Sequence, residues 1–191
     1  MANSLQPMGI GVVGQSDIVF KRKFRYTFQI QGFCNNKTNV IPEYFVKLAS
    51  RPNLEIEETE INFLNGKMWI PGKASWQTVS VTYIDVANTQ MQSMYNWLAT
   101  MYDFTDPIGL KQGNRRDWDA TGVLTLYDGC GVALESWQLQ HLWPTEINFG
   151  EVDYSSSEEC TIELTFRFWD VIYRSLCPNF TPTPCCTGCV A

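Results

Sequence analysis

Residues 121–170 read as a series of short β-strands separated by turn signals. Residues 123–127 and 132–140 are rich in apolar and β-branched side chains, and an Asp-Gly-Cys-Gly turn separates them. Trp143-Pro144 is expected to interrupt the second strand, because proline donates no backbone hydrogen bond, and a further strand is expected at 146–153. This series favours a mainly β fold, and it contains no catalytic arrangement of side chains.

The last strand of the series, residues 160–169, has one apolar side and one polar side. Successive side chains of a strand point to opposite sides of the sheet, so its alternating pattern separates the two kinds of residue. The apolar side carries Ile162, Leu164, Phe166 and Phe168, and the polar side carries Thr161, Glu163, Thr165 and Arg167. We expect the apolar side to face the core and the polar side to face solvent or a neighbouring subunit.

The composition predicts one soluble, folded domain. A chain of 191 residues, 45% of them hydrophobic, has enough apolar side chains for one core. The formal net charge of −6 argues against a protein that grips DNA but is compatible with a surface past which DNA slides. No apolar run is long enough to cross a bilayer, and residues 1–8 lack the features of a secretion signal. We therefore expect synthesis in the cytoplasm and no contact with a membrane.

Residues 1–16 are predicted to form an N-terminal arm with little core of its own. Gly9, Gly11 and Gly14 match the glycine spacing of a dinucleotide-binding turn, but such a turn must follow a buried strand and open a helix. Here a strand follows instead, so no cofactor is expected. That strand is predicted over residues 18–31, with an apolar side formed by Phe20, Phe24, Tyr26, Phe28 and Ile30.

Residues 54–70 are predicted to form a projecting β-hairpin. Asn65-Gly66 lies between two β-prone arms, and this pair favours a two-residue turn in which both residues have positive φ. The first arm carries four carboxylates, Glu55, Glu57, Glu58 and Glu60. Few of them are expected to be buried in one subunit, so we expect the hairpin to extend into solvent or onto a partner.

Residues 87–102 are predicted to form one amphipathic helix, because apolar side chains recur at spacings of three and four. The stripe consists of Met91, Met94, Tyr95, Leu98 and Met101. Asn88 is the expected N-cap, and Asp106-Pro107 lies beyond the expected end. Residues 110–119 are polar and of mixed charge, and we interpret them as a loop.

Four of the seven cysteines lie in the last fifteen residues, within a proline-rich tail predicted for residues 174–191. We interpret the tail as an extended strap that forms disulfide bonds within one subunit or with a neighbour. The candidates are Cys34, Cys130, Cys160, Cys177, Cys185, Cys186 and Cys189. The last four match the ligand number of a structural zinc site, but adjacent cysteines are an unusual ligand pair, so no metal site is predicted. The spacing of Cys186 and Cys189 also matches a redox motif, but it lies in a tail and not at the start of a helix.

The residues do not predict an enzyme. His141 is the single histidine, and no serine or cysteine motif around it indicates an activated nucleophile. We interpret it as a structural or surface residue. The carboxylates cluster on the hairpin arm and near Glu158-Glu159, where solvation explains them better than an acid and base pair.

Several motifs between residues 18 and 173 together resemble the tail tube proteins of contractile-tailed bacteriophages. In chain order they are Leu54-Glu-Ile-Glu-Glu, Pro71-Gly-Lys-Ala-Ser-Trp76, Val79-Ser-Val-Thr-Tyr83, Leu124-Thr-Leu-Tyr-Asp-Gly129, Trp137-Gln-Leu139, Trp143-Pro-Thr-Glu-Ile147, Val152-Asp-Tyr154 and Ile162-Glu-Leu-Thr-Phe166. Their number and order carry the resemblance. The cysteine-rich tail is not part of the family's pattern.

The resemblance implies a small β-barrel or sandwich of two packed antiparallel sheets over residues 17–173, with the helix at its flank and the hairpin projecting. It implies a structural virion protein that self-assembles into stacked hexameric rings. These rings form the inner tail tube through which DNA passes into the host. Assembly is expected in the host cytoplasm, and the final location is the phage tail.

The implied partners are the tail sheath, tape-measure, baseplate and tail-terminator proteins, together with double-stranded DNA that passes without specific binding. The hairpin resembles the family's loop that contacts the adjacent ring. The candidate inter-ring contacts are therefore Glu55, Glu57, Glu58, Glu60, Asn65, Gly66, Lys67 and Trp69. Glu163 and Thr165 are candidates for the lumen.

Three alternatives stay open. A baseplate tube initiator shares the fold and would be present at about one ring per particle. The inner tube of a bacterial secretion system also shares it and would differ in gene neighbourhood. A ligand-binding β-barrel would be a monomer in solution.

Overall fold

The structure is a computed structural model that describes residues 21–34, 39–102, 104, 115–155 and 157–175. The predicted N-terminal arm, and the predicted tail beyond residue 175, lie outside these ranges. The chain divides into two compact units, of which the larger comprises residues 27–124 and 137–173 and the smaller includes residues 125–136. The predicted boundaries at residues 17 and 173 stay predictions.

The described residues contain ten strands in two sheets. The strands are β1 (Tyr26–Gln31), β2 (Val40–Ile41), β3 (Val46–Ala49), β4 (Leu54–Phe63), β5 (Gly66–Trp76), β6 (Val79–Ile84), β7 (Ala120–Tyr127), β8 (Ala133–Asn148), β9 (Thr161–Arg167) and β10 (Asp170–Ser175). Eight strands form one sheet in the order β2-β1-β7-β8-β9-β6-β3, with β10 also paired to β8. β4 and β5 form the second sheet. The prediction of a mainly β fold with two sheets is confirmed.

Strand β9 lies between β6 and β8, and both pairings are antiparallel. The predicted alternation of its side chains is confirmed. Its buried side chains are Ile162, Leu164, Phe166 and, just after the strand, Phe168. On β6 the buried side chains are Val79, Val81 and Tyr83, which pair with Phe166, Leu164 and Ile162 of β9. Paired residues lie on the same side of a sheet, so the two strands contribute one continuous apolar layer to the core.

Strand β8 does not stop at Trp143-Pro144, so that prediction is wrong. It continues to Asn148, and Pro144 pairs with Phe166 of β9. The register shifts between Pro144 and Glu146, and a bulge is one of the few places where a strand accepts proline. Residues 146–148 of the strand predicted at 146–153 are therefore the end of β8, and residues 149–153 are not in a strand.

Strand β1 begins at Tyr26, later than predicted. The backbone N–H of Arg25 donates to the carbonyl of Arg22 at 3.2 Å, which closes a turn ahead of the strand. Phe24 is 75% exposed, whereas Phe28 and Ile30 are buried as predicted. Residues 18–20 lie outside the described ranges.

The predicted helix is confirmed as α1 (Thr89–Met101), and the Asn88 side chain accepts the N–H of Met91 at 2.8 Å as the predicted N-cap. The buried residues of α1 are Met91, Met94, Trp97 and Leu98, whereas the predicted Tyr95 and Met101 are only half-buried. Trp97 packs against Phe166 in the core, with ring centroids 6.1 Å apart. The buried side of α1 is therefore rotated toward Trp97 relative to the predicted apolar stripe.

A short helix, α2 (Arg115–Trp118), lies where a loop was predicted. The Trp118 carbonyl accepts the indole N–H of Trp97 at 3.0 Å, so this segment satisfies a polar atom of α1. In the described part of the chain, neither helix is long and apolar enough to span a membrane.

Candidate assembly surface

Strands β4 and β5 form a two-stranded antiparallel ribbon of their own, which confirms the predicted hairpin. Pairing extends from Leu54 opposite Trp76 to Phe63 opposite Gly66. All residues of the two strands are exposed except Glu60 and Trp76, which are intermediate. A two-stranded ribbon has too little core to be stable by itself, so this arrangement is typical of a segment that is completed by a partner.

The turn of the hairpin lies one residue earlier than predicted. Phe63 pairs with Gly66, which leaves Leu64 and Asn65 as the two loop residues. Positive φ occurs at Leu64, at 49°, and not at Asn65 or Gly66. This register brings the Lys67 ammonium to 2.7 Å from a Glu60 carboxylate oxygen.

The outer part of the ribbon has two chemically different faces. The pairs Thr59–Ile70, Ile61–Met68 and Phe63–Gly66 lie on one face, and the pairs Glu58–Pro71, Glu60–Trp69 and Asn62–Lys67 lie on the other. We call the first the apolar face, defined by Ile61, Phe63, Met68 and Ile70. Their exposed fractions are 40%, 70%, 55% and 41%. Four large apolar side chains on one side of a thin ribbon form a patch of the kind that marks protein contacts.

Four of the eight predicted contact residues, Glu58, Glu60, Lys67 and Trp69, lie on the polar face, and Trp69 is 58% exposed. Asn65 lies in the loop, and Gly66 lies opposite Phe63 at the end of the apolar face. Glu55 lies nearer the base of the ribbon and accepts a hydrogen bond from the Gln77 amide. At Glu57 the register shifts, and a Cβ at Gly72 would lie 3.1 Å from the Glu57 carbonyl oxygen, so glycine permits this close approach.

The apolar face was missed because the sequence reasoning gave most weight to the carboxylates of the first arm. A usable signal was present in both arms. Ile61 and Phe63 alternate with polar residues in the first, and Met68 and Ile70 stand at the same spacing in the second.

No protein-family model matches the chain, and no curated protein matches it. Its fold does match solved structures. A chain of the PVC sheath-tube complex, from an extracellular contractile injection system in the extended state, has a TM-score of 0.62 at 14% identity, with 92% of this chain and 100% of that chain covered. This chain has a tail tube protein fold. The anti-feeding prophage tube-terminating cap contains a chain with a TM-score of 0.61 at 17% identity, covering 86% of this chain and 99% of that chain.

The tail tube fold is also shared with the sheath/tube terminator structure of the PVC system. That chain has a TM-score of 0.62 at 15% identity, with 84% of this chain and 100% of that chain covered. Tube and terminator structures therefore match the present fold equally well.

The predicted lumen candidates lie on a polar side of the tail tube fold's larger sheet. Glu163 pairs with Thr82 and with Asn148, and Thr165 pairs with Ser80 and with Glu146. Arg167 and Leu48 share this side, because Arg167 continues the alternation of β9 and Leu48 pairs with Thr82. We call this side the charged sheet face. It has carboxylates, a guanidinium and an exposed leucine.

His141 lies at a kink of β8, where its φ is 55°. Its Nδ1 is 2.8 Å from a carboxylate oxygen of Asp119, and its ring centroid is 5.0 Å from that of Trp169. The Trp169 backbone N–H donates to the Gln140 carbonyl at 3.0 Å, next to the same kink. These contacts hold the histidine against its own sheet.

The candidate cysteines fall into three groups. Cys34 and Cys160 are free thiols, and Cys130 is disulfide-bonded. Burial, and secondly the nearby Asp117 carboxylate, raise the pKa of the Cys34 thiol. Cys177, Cys185, Cys186 and Cys189 lie outside the described residues. Within the described ranges, no group of three or more His, Cys, Asp or Glu residues could hold a metal ion.

Proposed function

We propose that this protein is a structural subunit that assembles into stacked hexameric rings and forms the inner tube of a contractile tail. The fold is shared with structures of a sheath-tube complex and of tube terminators, and this likeness supports a role in a tube. The observation that carries the proposal is the apolar face of the hairpin. A single subunit leaves it in water, whereas a neighbouring copy in the next ring would bury it.

The two faces of the hairpin are assigned different contributions to stacking. Burial of Ile61, Phe63, Met68 and Ile70 supplies most of the free energy of association, since large apolar side chains contribute about 1.5–3 kcal/mol each when fully buried. The polar face, with Glu58, Glu60, Lys67 and Trp69, and the Asn65-Gly66 end form the rim of the contact. Charged rim residues favour the correct approach of two subunits more than they add affinity.

The wider assembly follows from the same role. The tube is surrounded by the sheath, encloses the tape-measure protein and DNA, and ends at the baseplate and the tail terminator. It is assembled in the host cytoplasm and becomes part of the virion. Cysteines of the predicted tail form disulfide bonds within one subunit or with a neighbouring subunit.

A second candidate is a tube terminator, because terminator and tube structures match the fold with equal TM-scores of 0.62. The two roles differ in copy number. A tube subunit is present in many rings per particle, and a terminator in about one ring.

Negative-stain electron microscopy of the purified full chain tests the proposal. Long hollow tubes support the tube subunit, and single rings that do not stack support the terminator. A monodisperse monomer by light scattering, with neither rings nor tubes in the micrographs, would exclude both the tube subunit and the terminator. It would favour the ligand-binding β-barrel instead.

A further inference from the structure

The outer side of the larger sheet, opposite the core, has a second polar region on the adjacent strands β1, β7 and β8. The opposite side of these strands is buried in the core through Phe28, Ile30, Leu124 and Leu139. The outward positions within the larger unit include Gln29, Gln31, Thr121, Val123, Gln138 and Gln140. We call the region formed by these six residues the amide face. None of these six residues carries a charge.

The amide face is a continuous surface. Gln31, Thr121, Gln138 and Gln140 together line one open groove of about 480 Å³, which Asp119 and His141 also line. All six residues of the face are half-buried. Five of them, all except Val123, have amide or hydroxyl side chains that can form hydrogen bonds without a fixed charge.

The amide face differs from the charged sheet face in what it offers a phosphate backbone. Arg167 on the charged sheet face would attract phosphates and release their counterions, whereas Glu163 would repel them. Leu48, 63% exposed, adds an apolar contact that suits a protein neighbour. A neutral amide and hydroxyl surface gives neither strong attraction nor strong repulsion.

We propose that the amide face, and not the charged sheet face, lines the channel of the tube, and that double-stranded DNA is the polymer that moves along it. The inference rests on the proposed function as a tube subunit. Glutamine and threonine side chains exchange hydrogen bonds with water and with passing phosphates at little net cost, so no position along the channel holds the DNA. This assignment moves the channel wall away from Glu163 and Thr165, the positions predicted from sequence.

Lysine substitutions on the two faces test the proposal. Gln138→Lys and Gln140→Lys place one cation per subunit on the amide face, and Thr165→Lys is the matched control on the charged sheet face. Full-chain tubes are assembled in the presence of a short fluorescent DNA duplex, treated with nuclease and sedimented. Tubes with either glutamine replaced are expected to retain nuclease-protected DNA, roughly tenfold above wild type at low salt and falling as salt rises. Thr165→Lys tubes are expected to retain no protected DNA above wild type.

Each other result counts against the assignment. Protected DNA in Thr165→Lys tubes alone, or in none of the variants, would show that the amide face does not line the channel. Failure of both glutamine variants to form tubes, while wild type forms them, would place the amide face in a subunit contact. If wild type itself forms no tubes, the proposed function fails first, and electron micrographs of the same samples separate that outcome from the others.

Discussion

Replacing Phe63 with serine removes the most exposed large side chain from the apolar face of the hairpin. Phe63 is 70% exposed in the single subunit. For an aromatic side chain of about 200 Å², burial of that fraction by a neighbour removes roughly 140 Å² from water. At about 25 cal/mol per Å² this corresponds to roughly 3.5 kcal/mol for each contact, or roughly a 300-fold change in the association constant.

The assay is the critical concentration for tube assembly, measured by sedimentation and by tube length in negative stain. Phe63→Ser is expected to raise the critical concentration by at least about sevenfold, because even a third of the free energy worked out above, about 1.2 kcal/mol, corresponds to that change. The folding of the subunit should not change, since exposed positions usually alter stability by less than about 0.5 kcal/mol. Circular dichroism and chemical denaturation check that point.

Asn62→Ser is the matched control, because Asn62 is the preceding residue and points to the opposite face. It is expected to change the critical concentration by no more than about twofold. The reasoning is refuted if Phe63→Ser assembles as wild type does. It is also refuted if Trp69→Ser, on the polar face, impairs assembly more than Phe63→Ser, since the polar face would then carry the contact.

Three further substitutions test the folded subunit by chemical denaturation. The Tyr83 hydroxyl is fully buried without a hydrogen-bond partner in the described structure. Tyr83→Phe is therefore expected to raise the free energy of unfolding by about 1 kcal/mol. A decrease in the free energy of unfolding by more than that amount would show that the hydroxyl has a partner. Leu64 has a φ of 49° and is 92% exposed. Leu64→Gly is therefore expected to stabilise the folded subunit by up to about 1 kcal/mol. Destabilisation of the subunit would mean that the turn does not adopt this conformation. Asn88→Ala removes the N-cap of α1 and is expected to cost about 1 kcal/mol, with Asn88→Asp as the control that keeps the cap; equal stabilities for both variants would contradict the capping role.

Helix α1 and strand β9 were predictable because each buries one side against the core. That requirement imposes a regular spacing of apolar residues, which can be read locally from the sequence. Asn88 was predictable for a similar reason, since a cap depends on hydrogen bonds within a few residues.

The wrong predictions arose where distant residues decide the structure. Trp97 is buried because Trp118, 21 residues later, accepts its indole N–H, and because Phe166 packs on its ring. Strand β8 passes through Pro144 because β9 accommodates a register shift there. The local sequence pattern does not show these distant contacts, because it indicates only the intrinsic secondary-structure preference of each segment.

The sequence and the tertiary structure each determined a different part of the hairpin. The sequence by itself determined that residues 54–70 contain two β-prone arms joined by a tight turn and too many carboxylates to bury. The tertiary structure alone decided that the loop is Leu64-Asn65 and that the ribbon stands apart with Ile61, Phe63, Met68 and Ile70 on one exposed face. Alternation along a strand tells which residues share a side, but only the pairing register and the packing of the whole chain determine whether that side is covered.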